Sequence, residues 1–216
     1  MADVSTTRPT ADGPEAFFAL VKGRRSVRAY QERPIPREVL ERILEAAIWA
    51  PSADNLQPWR FVVFQGERKR AFAALLRRFV DEVRPGLNPL LHVHRMGLRR
   101  CAAFIEGSAA TITAWAFVPP DDPRLRLVAR GDLTPLFTWS MVVQSVAAAV
   151  QNLLLAAHAL GVGAVWLGYP NLAAPQVKAW LGEQGELMAT IALGYPAKEP
   201  GPGKRKPLTW VVRWEG

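Results

Sequence analysis

The chain has 216 residues, half of which are hydrophobic, and a formal charge of +8 at pH 7. Its length suits one core, at ~150 residues per domain, and its hydrophobicity excludes an intrinsically disordered chain. The single cysteine, Cys101, excludes an internal disulfide framework and a zinc site built from thiolates. We therefore expect one cytoplasmic domain, residues 1–216, with a flexible start at residues 1–12 and an extended basic loop at residues 196–207.

Neither a membrane nor a nucleic acid is expected as a partner. The start of the chain lacks the apolar core of a signal peptide, because Arg8 and Pro9 interrupt it. The apolar stretch at residues 133–160 contains Gln144 and Asn152, which favours a buried helix over a membrane span. The basic residues fall in separate places without a recognisable nucleic-acid motif, so a solvated basic surface explains the net charge.

Apolar periodicity and the positions of proline and glycine predict helices alternating with strands. We expect helices at residues 14–22, 37–50, 69–83, 134–160 and 175–181. Strands are predicted at residues 60–65, 108–118, 163–169 and 187–195, with an edge strand at 208–214. Residues 87–106 carry no clear pattern. Such an alternation predicts a layered sandwich, in which the long apolar helix is buried on several faces and a second subunit supplies one of them.

A basic segment follows the first predicted helix, after Gly23. Arg24, Arg25 and Arg28 supply three guanidinium groups and Ser26 supplies a hydroxyl. Guanidinium groups form strong, charge-assisted bonds to phosphate oxygens, so this composition suits a phosphate and the polar chain attached to it. A pair of adjacent arginines alone would more often be an ordinary solvated turn.

A turn-rich segment follows the second predicted helix, at residues 51–59, and leads into an apolar strand. It reads Pro-Ser-Ala-Asp-Asn-Leu-Gln-Pro-Trp. Short polar residues such as Ser52 and Asn55 favour turns in any protein. The combination of this segment with the arginine segment resembles the FMN-dependent nitroreductase family, and the resemblance extends from about Phe17 to Trp214.

The resemblance implies an α+β fold with a mainly antiparallel central sheet between helices, a homodimer, and FMN bound where two subunits meet. It places Arg24, Arg25 and Ser26 on the phosphate and Arg28 beside the pyrimidine edge of the flavin. A fixed cation there would stabilise the negative charge of the reduced ring. The flavin-contacting residues implied further along the chain are Pro51, Ser52, Ala53, Asn55, Leu167, Gly168, Lys204 and Arg205.

Three details of that implied site are specific. Ala53 has no polar side-chain atom, so its contact would come from the backbone. Backbone amides at Leu167 and Gly168 match the family positions near flavin N5 and O4. The basic run near the C-terminus matches the motif that returns to the phosphate. Arg205 is the closest match, and Lys204 is a second candidate because the sequence leaves the register open by one residue.

The family's activity implies a ping-pong cycle in one pocket. NADPH or NADH delivers hydride to flavin N5 and leaves, and a small-molecule acceptor, such as a nitroaromatic or a quinone, binds in its place. Because the flavin performs the redox step, no catalytic side chain is assigned. The alternatives are reductive dehalogenation or flavin fragmentation on the same fold, a flavin-binding protein without turnover, and a basic nucleic-acid-binding module.

The remaining reactive and aromatic side chains are interpreted as structural. His92 and His94 alternate as strand-borne metal ligands would, but no carboxylate or cysteine cluster supports a metal. Cys101 lacks a recognisable catalytic partner and is expected in the core. Trp115, Phe137 and Trp139 suit pocket walls and core positions equally well.

Overall fold

A computed structural model describes residues 13–82, 89–117, 134–198 and 200–216. The start at residues 1–12, expected to be flexible, lies outside these ranges, as do the side chains of 89–92, 134–136 and 138. The described helices are α1 (Gly13–Gly23), α2 (Arg37–Ile48), α3 (Gly66–Glu82), α4 (Pro89–Gly107), α5 (Thr134–Ala159) and α6 (Ala174–Leu181). The described strands are β1 (Trp59–Phe64), β2 (Ala110–Ala116), β3 (Gly163–Leu167) and β4 (Glu186–Gly194).

The four described strands form one antiparallel sheet in the order β1-β2-β4-β3. Trp59 pairs with Ala116 and Ala116 with Glu186, so the start of β1 lies at the start of β4. Gly163 pairs with Gly194, so β3 begins at the opposite end of the sheet. The start of β1 and the start of β3 therefore occupy diagonally opposite corners.

Helices cover both faces of the sheet, which confirms the predicted α+β sandwich. Because side chains alternate across a strand, Ala114 and Ile191 face one layer while Trp115 and Ala192 face the other. The first layer consists of α2 and α5, and the second of α3, α4 and α6. Six of the buried strand residues are alanines, which lets the helices pack closely against the sheet.

The long helix α5 runs through the first layer. Ala149, Leu153 and Ala157 are fully buried against α2 and the sheet, and Asn152 Nδ2 donates a hydrogen bond to the Ala46 carbonyl at 3.2 Å. By length and composition its Trp139–Ala159 stretch is apolar enough to cross a membrane. Its packing against the sheet assigns it instead to the core of the sandwich.

One sequence-based prediction about secondary structure was wrong. Residues 208–214 were predicted as an edge strand, but Leu208–Trp210 forms a 3-10 turn and no described strand pairs with the segment. Its large apolar side chains are exposed, and Trp214 is 86% exposed. The strand-like alternation of His92 and His94 lies instead on helix α4, which also occupies the segment that was left unassigned.

Candidate functional site

The arginine segment, residues 24–28, follows the end of α1 and lies beside the start of β3. The Val27 amide donates a hydrogen bond to the Ala164 carbonyl at 3.1 Å, and Ser26 bridges Ala164 in parallel orientation. Val27 is buried against Gly163, where an added Cβ would approach the valine side chain to 2.8 Å. Since Val27 points inwards, its neighbours Ser26 and Arg28 are left exposed on the outer side.

The arginine cavity, of about 380 Å³, opens beside this segment. No acidic residue is among its described lining residues. Burial, followed by the charges of Arg205 and Arg25, lowers the pKa of Arg24 below its usual value. An anion placed there would relieve the repulsion among these cations. The lining consists of Arg24, Arg25, Ser26, Arg28, residues 200–203 and Arg205.

The Arg25 side chain donates hydrogen bonds to backbone carbonyls. Its Nη1 donates to the carbonyls of Lys22 at 2.5 Å and Arg24 at 2.8 Å, and its Nε to the Gly201 carbonyl at 3.3 Å. A Cβ added to Gly203 would lie 2.9 Å from Arg25 Cζ. Arg25 lines the arginine cavity, and through these bonds it also ties the end of α1 to the C-terminal segment.

The structure distinguishes the two C-terminal candidates. Both side chains are exposed, but Arg205 lines the arginine cavity, whereas Lys204 is not among the lining residues. The Lys204 carbonyl accepts a hydrogen bond from Arg205 Nη1 at 2.8 Å. Lys204 therefore shapes the segment through its backbone, and Arg205 is the cation that returns to the arginine segment.

The α4 cavity, of about 500 Å³, lies next to the arginine cavity, and Arg28 lines both. Leu167 and Gly168, at the end of β3, form one wall. The facing wall comes from α4 and includes Met96, Arg100 and Phe104, which sequence reasoning missed. Their spacing of four residues places them on one face of a helix, a signal that becomes readable once α4 is recognised.

The turn after β3 is fastened to α4. Burial raises the pKa of the Cys101 thiol to about 11, and the neighbouring Tyr169 backbone amide opposes that rise. The Tyr169 ring packs over Gly97, where a Cβ would come within 2.4 Å of the ring. These contacts fix the backbone at Gly168, and they confirm that Cys101 is a buried core residue.

The 51–58 loop has a compact shape of its own. Asp54, Asn55 and Gln57 all have positive φ, between 49° and 50°, a region that Asn and Asp enter more easily than most residues. Ser52 Oγ accepts a hydrogen bond from the Gln57 amide at 3.0 Å, and the Ala53 amide donates to Ser145 Oγ at 3.3 Å. Ser52 thus closes the loop on itself, and Ala53 holds the loop on α5.

The 51–58 loop does not meet the arginine segment within one chain. It lines neither the arginine cavity nor the α4 cavity. The loop and the start of the arginine segment touch helix α5 at different positions. The Ala53 amide bonds to Ser145, whereas Gly23 lies against His158. These two positions are 13 residues apart in α5, about 20 Å along the helix axis. The two segments that carry the family resemblance therefore lie far apart.

The expected absence of a metal rested on the sequence alone. Among the described residues, no group of three or more His, Cys, Asp or Glu side chains could hold a metal ion. His94 packs against Tyr169, with ring centroids 5.9 Å apart.

Trp115 is fully buried, whereas Phe137 and Trp139 are exposed on α5.

Comparison with known proteins agrees with the fold. The model of the nitroreductase family matches residues 21–195. An NADH dehydrogenase of Thermus thermophilus is 33% identical, over 98% of this chain and 100% of that protein. This chain therefore belongs to the nitroreductase family.

Solved structures support the same conclusion. A Desulfovibrio desulfuricans protein in complex with FMN has a TM-score of 0.65 and 28% identity, covering 98% of this chain and 99% of that one. The FMN-dependent nitroreductase NfnB of Mycobacterium smegmatis, in complex with NADPH, has a TM-score of 0.70 and 22% identity, covering 94% and 99%. The second likeness shows the fold alone.

Proposed function

We propose that this protein is an NAD(P)H-dependent FMN oxidoreductase that reduces nitroaromatics, quinones or related conjugated acceptors. The phosphate would lie in the arginine cavity and the flavin ring in the α4 cavity. When bound, FMN supplies the redox chemistry by accepting two electrons from NAD(P)H and passing them to the acceptor. The chain's own residues bind and orient the cofactor.

The observation that carries this proposal is the sharing of Arg28 between the two cavities. One cavity is lined by cations and a hydroxyl, and the other is walled by apolar residues such as Phe104, Val165 and Leu167. A ligand with a phosphate at one end and a conjugated ring at the other fits this arrangement. Arg28, where they join, would stabilise negative charge on the adjoining edge of the ring.

The main chain at Gly168 supports the same fit. Its φ of −88° is open to any residue, and a Cβ added there would meet no protein atom within 4 Å. Neither backbone conformation nor packing within the chain explains why this position is a glycine. Close approach of a ligand to the backbone does, because a side chain would occupy part of the α4 cavity.

We further propose that the protein works as a homodimer whose sites combine two chains. The resemblance places the 51–58 loop on the flavin, yet this loop lies about 20 Å from the arginine end of α5. A second copy can bring its own loop to the arginine segment. The exposed Trp49, Phe137 and Trp139 suit such an interface, since aromatic side chains are enriched at interface cores.

The donor and the acceptor would use the α4 cavity in turn, in a ping-pong cycle. The relatives' names point to both donors, since one is called an NADH dehydrogenase and another was solved with NADPH. Solvent can supply the protons of the reaction, so no side chain is assigned as an acid or a base. A single cytoplasmic domain remains our expectation.

The test is to purify the protein, record its visible spectrum and identify any chromophore released by heat. We expect about one FMN per chain, as one pocket per subunit requires, and anaerobic bleaching by NADPH or NADH. Reoxidation by a quinone or a nitroaromatic would support the acceptor class. Reoxidation by a halogenated phenol alone would move the assignment to a dehalogenase, and loss of intact FMN in oxygen to a flavin-fragmenting enzyme. A protein that takes up no FMN would overturn the proposal.

A further inference from the structure

A third cavity, of about 490 Å³, lies behind the arginine segment and takes no part in the proposed function. We call it the His158 cavity. One wall lies on the chain between Gly23 and Arg33, a second consists of Tyr195, Pro196, Lys198 and Pro200, and the end of α5 closes the third side. The Gln31 side chain fastens the first two walls together by donating to the Pro196 carbonyl at 2.8 Å.

The rim of the His158 cavity is cationic. Arg24, Arg25, Arg33 and Lys198 line it, and no Asp or Glu is among its described lining residues. In the part of the chain that the structure describes, no carboxylate forms an ion pair with any of these four side chains. The Arg33 guanidinium instead lies over the Tyr195 ring, 3.9 Å from its centroid. An anion is the ligand that such a rim attracts.

The floor of the same cavity is apolar. Four apolar residues line it, and each is buried except for a small surface: Val27, Leu154, Val162 and Ala164. Its volume lies within the range of small-molecule sites, roughly 300–1,000 Å³, which combine apolar walls with a few placed polar groups. A bare inorganic ion would leave this floor uncovered. An anionic group carried on an apolar body would satisfy both parts.

We propose that the His158 cavity binds an organic anion, a phosphate or carboxylate borne on an apolar body, at a site separate from the cofactor. Arg24 and Arg25 line both this cavity and the arginine cavity. Two anions on opposite sides of the same guanidinium pair repel each other and share its positive charge. The organic anion therefore weakens phosphate binding in the arginine cavity, and by linkage FMN weakens binding of the organic anion equally.

The binding test uses the full chain saturated with FMN and phenyl phosphate as the probe, followed by calorimetry. We expect one site per chain, and at least tenfold weaker binding in the Arg33→Gln/Lys198→Gln variant. Arg37→Gln/Arg42→Gln is the matched control, because it removes the same charge from exposed positions that line none of the three cavities. Equal binding to the variant and the wild type would overturn the proposal, as would binding of inorganic phosphate as tight as that of phenyl phosphate.

The coupling, unlike the site, rests on the proposed function. Saturating phenyl phosphate should weaken FMN binding about fivefold, at the lower end of typical coupling between sites, and should have no effect in Arg33→Gln/Lys198→Gln. Unchanged FMN affinity in the wild type would refute the coupling. A protein that takes up no FMN would sink the proposed function, whereas loss of phenyl phosphate binding in the variant of that apoprotein would still support the site.

Discussion

The arginine segment and the 51–58 loop differ in how much of a binding site each finds within its own chain. The arginine segment meets Arg205 and residues 200–203, which close a cavity around it. The 51–58 loop also has a defined conformation, with three positive φ angles and a hydrogen bond to Ser145. It lines none of the three cavities described above. The proposed homodimer accounts for this difference, because a second copy would bring its own arginine segment to the 51–58 loop.

The largest effect is expected from removing the two cations of the arginine cavity that face a phosphate. Each charge-assisted hydrogen bond contributes about 1.5–3 kcal/mol, so Arg24→Gln/Arg205→Gln should weaken FMN binding roughly 100- to 10,000-fold. Fluorescence titration measures this. Riboflavin, which lacks the phosphate, should bind both proteins alike. Lys204→Gln/Lys206→Gln is the control of equal charge, and an equal loss there would show that net charge alone matters.

A steric block in the 51–58 loop should give the next largest effect. Ala53→Trp adds an indole that would fill space expected for the flavin ring of a neighbouring copy, so FMN affinity should fall at least tenfold. Inorganic phosphate should still bind the arginine cavity, because the loop does not line it. Affinity for FMN equal to that of the wild type would place the loop outside the site.

Arg25 separates a positioning role from a binding role within the arginine segment. Arg25→Gln removes its hydrogen bonds to the Lys22, Arg24 and Gly201 carbonyls, which hold the segment that carries Arg205. With about 1 kcal/mol net per bond, part of it recovered by solvent, we expect roughly tenfold weaker FMN binding. Hydrogen exchange at residues 200–205 should accelerate in this variant and stay unchanged in Arg24→Gln. Unchanged exchange in both would remove the positioning role.

The smallest expected effect is on stability and concerns Cys101, which lines the α4 cavity. Burial raises its pKa from 9.0 to about 11, so folding disfavours the thiolate. The stability that the buried, protonated thiol contributes to the folded state is fully present below pH 9 and is lost as the pH rises from 9 to 11. We expect a loss of about 1–2 kcal/mol over that range. Denaturant unfolding should show this slope in the wild type and not in Cys101→Ala; equal slopes would contradict it.

Much of the fold could be predicted from the sequence, because the periodic segments had one interpretation. The strand at residues 187–195 and the helix at 175–181 were each placed within one residue of β4 and α6. The prediction for residues 208–214 failed because an apolar pattern does not fix strand pairing: no described strand pairs with the segment, and its large apolar side chains are exposed. Helix α4 was missed because residues 87–106 mix arginine and histidine with apolar residues in no clear period.

The candidate site was only partly predictable, for a related reason. Motifs show which residue types are present, and the arginine segment with Arg205 does line one cavity. They do not show where a side chain points, so the turn of Arg25 onto carbonyl groups was invisible in the sequence. Met96 and Arg100 were hidden for the same reason as α4 itself. The distance between the two motif segments depends on the length of α5, which only the fold reveals.

The central claim is that each site needs the arginine segment of one chain and the 51–58 loop of another. Mixing the two defective variants, Arg24→Gln/Arg205→Gln and Ala53→Trp, tests it most directly once subunit exchange is verified. In a symmetric mixed dimer one site carries both defects and the other carries none. Half of the dimers would be mixed, so about a quarter of all sites should regain tight FMN binding. No recovery after complete exchange, or a wild-type monomer that keeps its FMN, would contradict the claim.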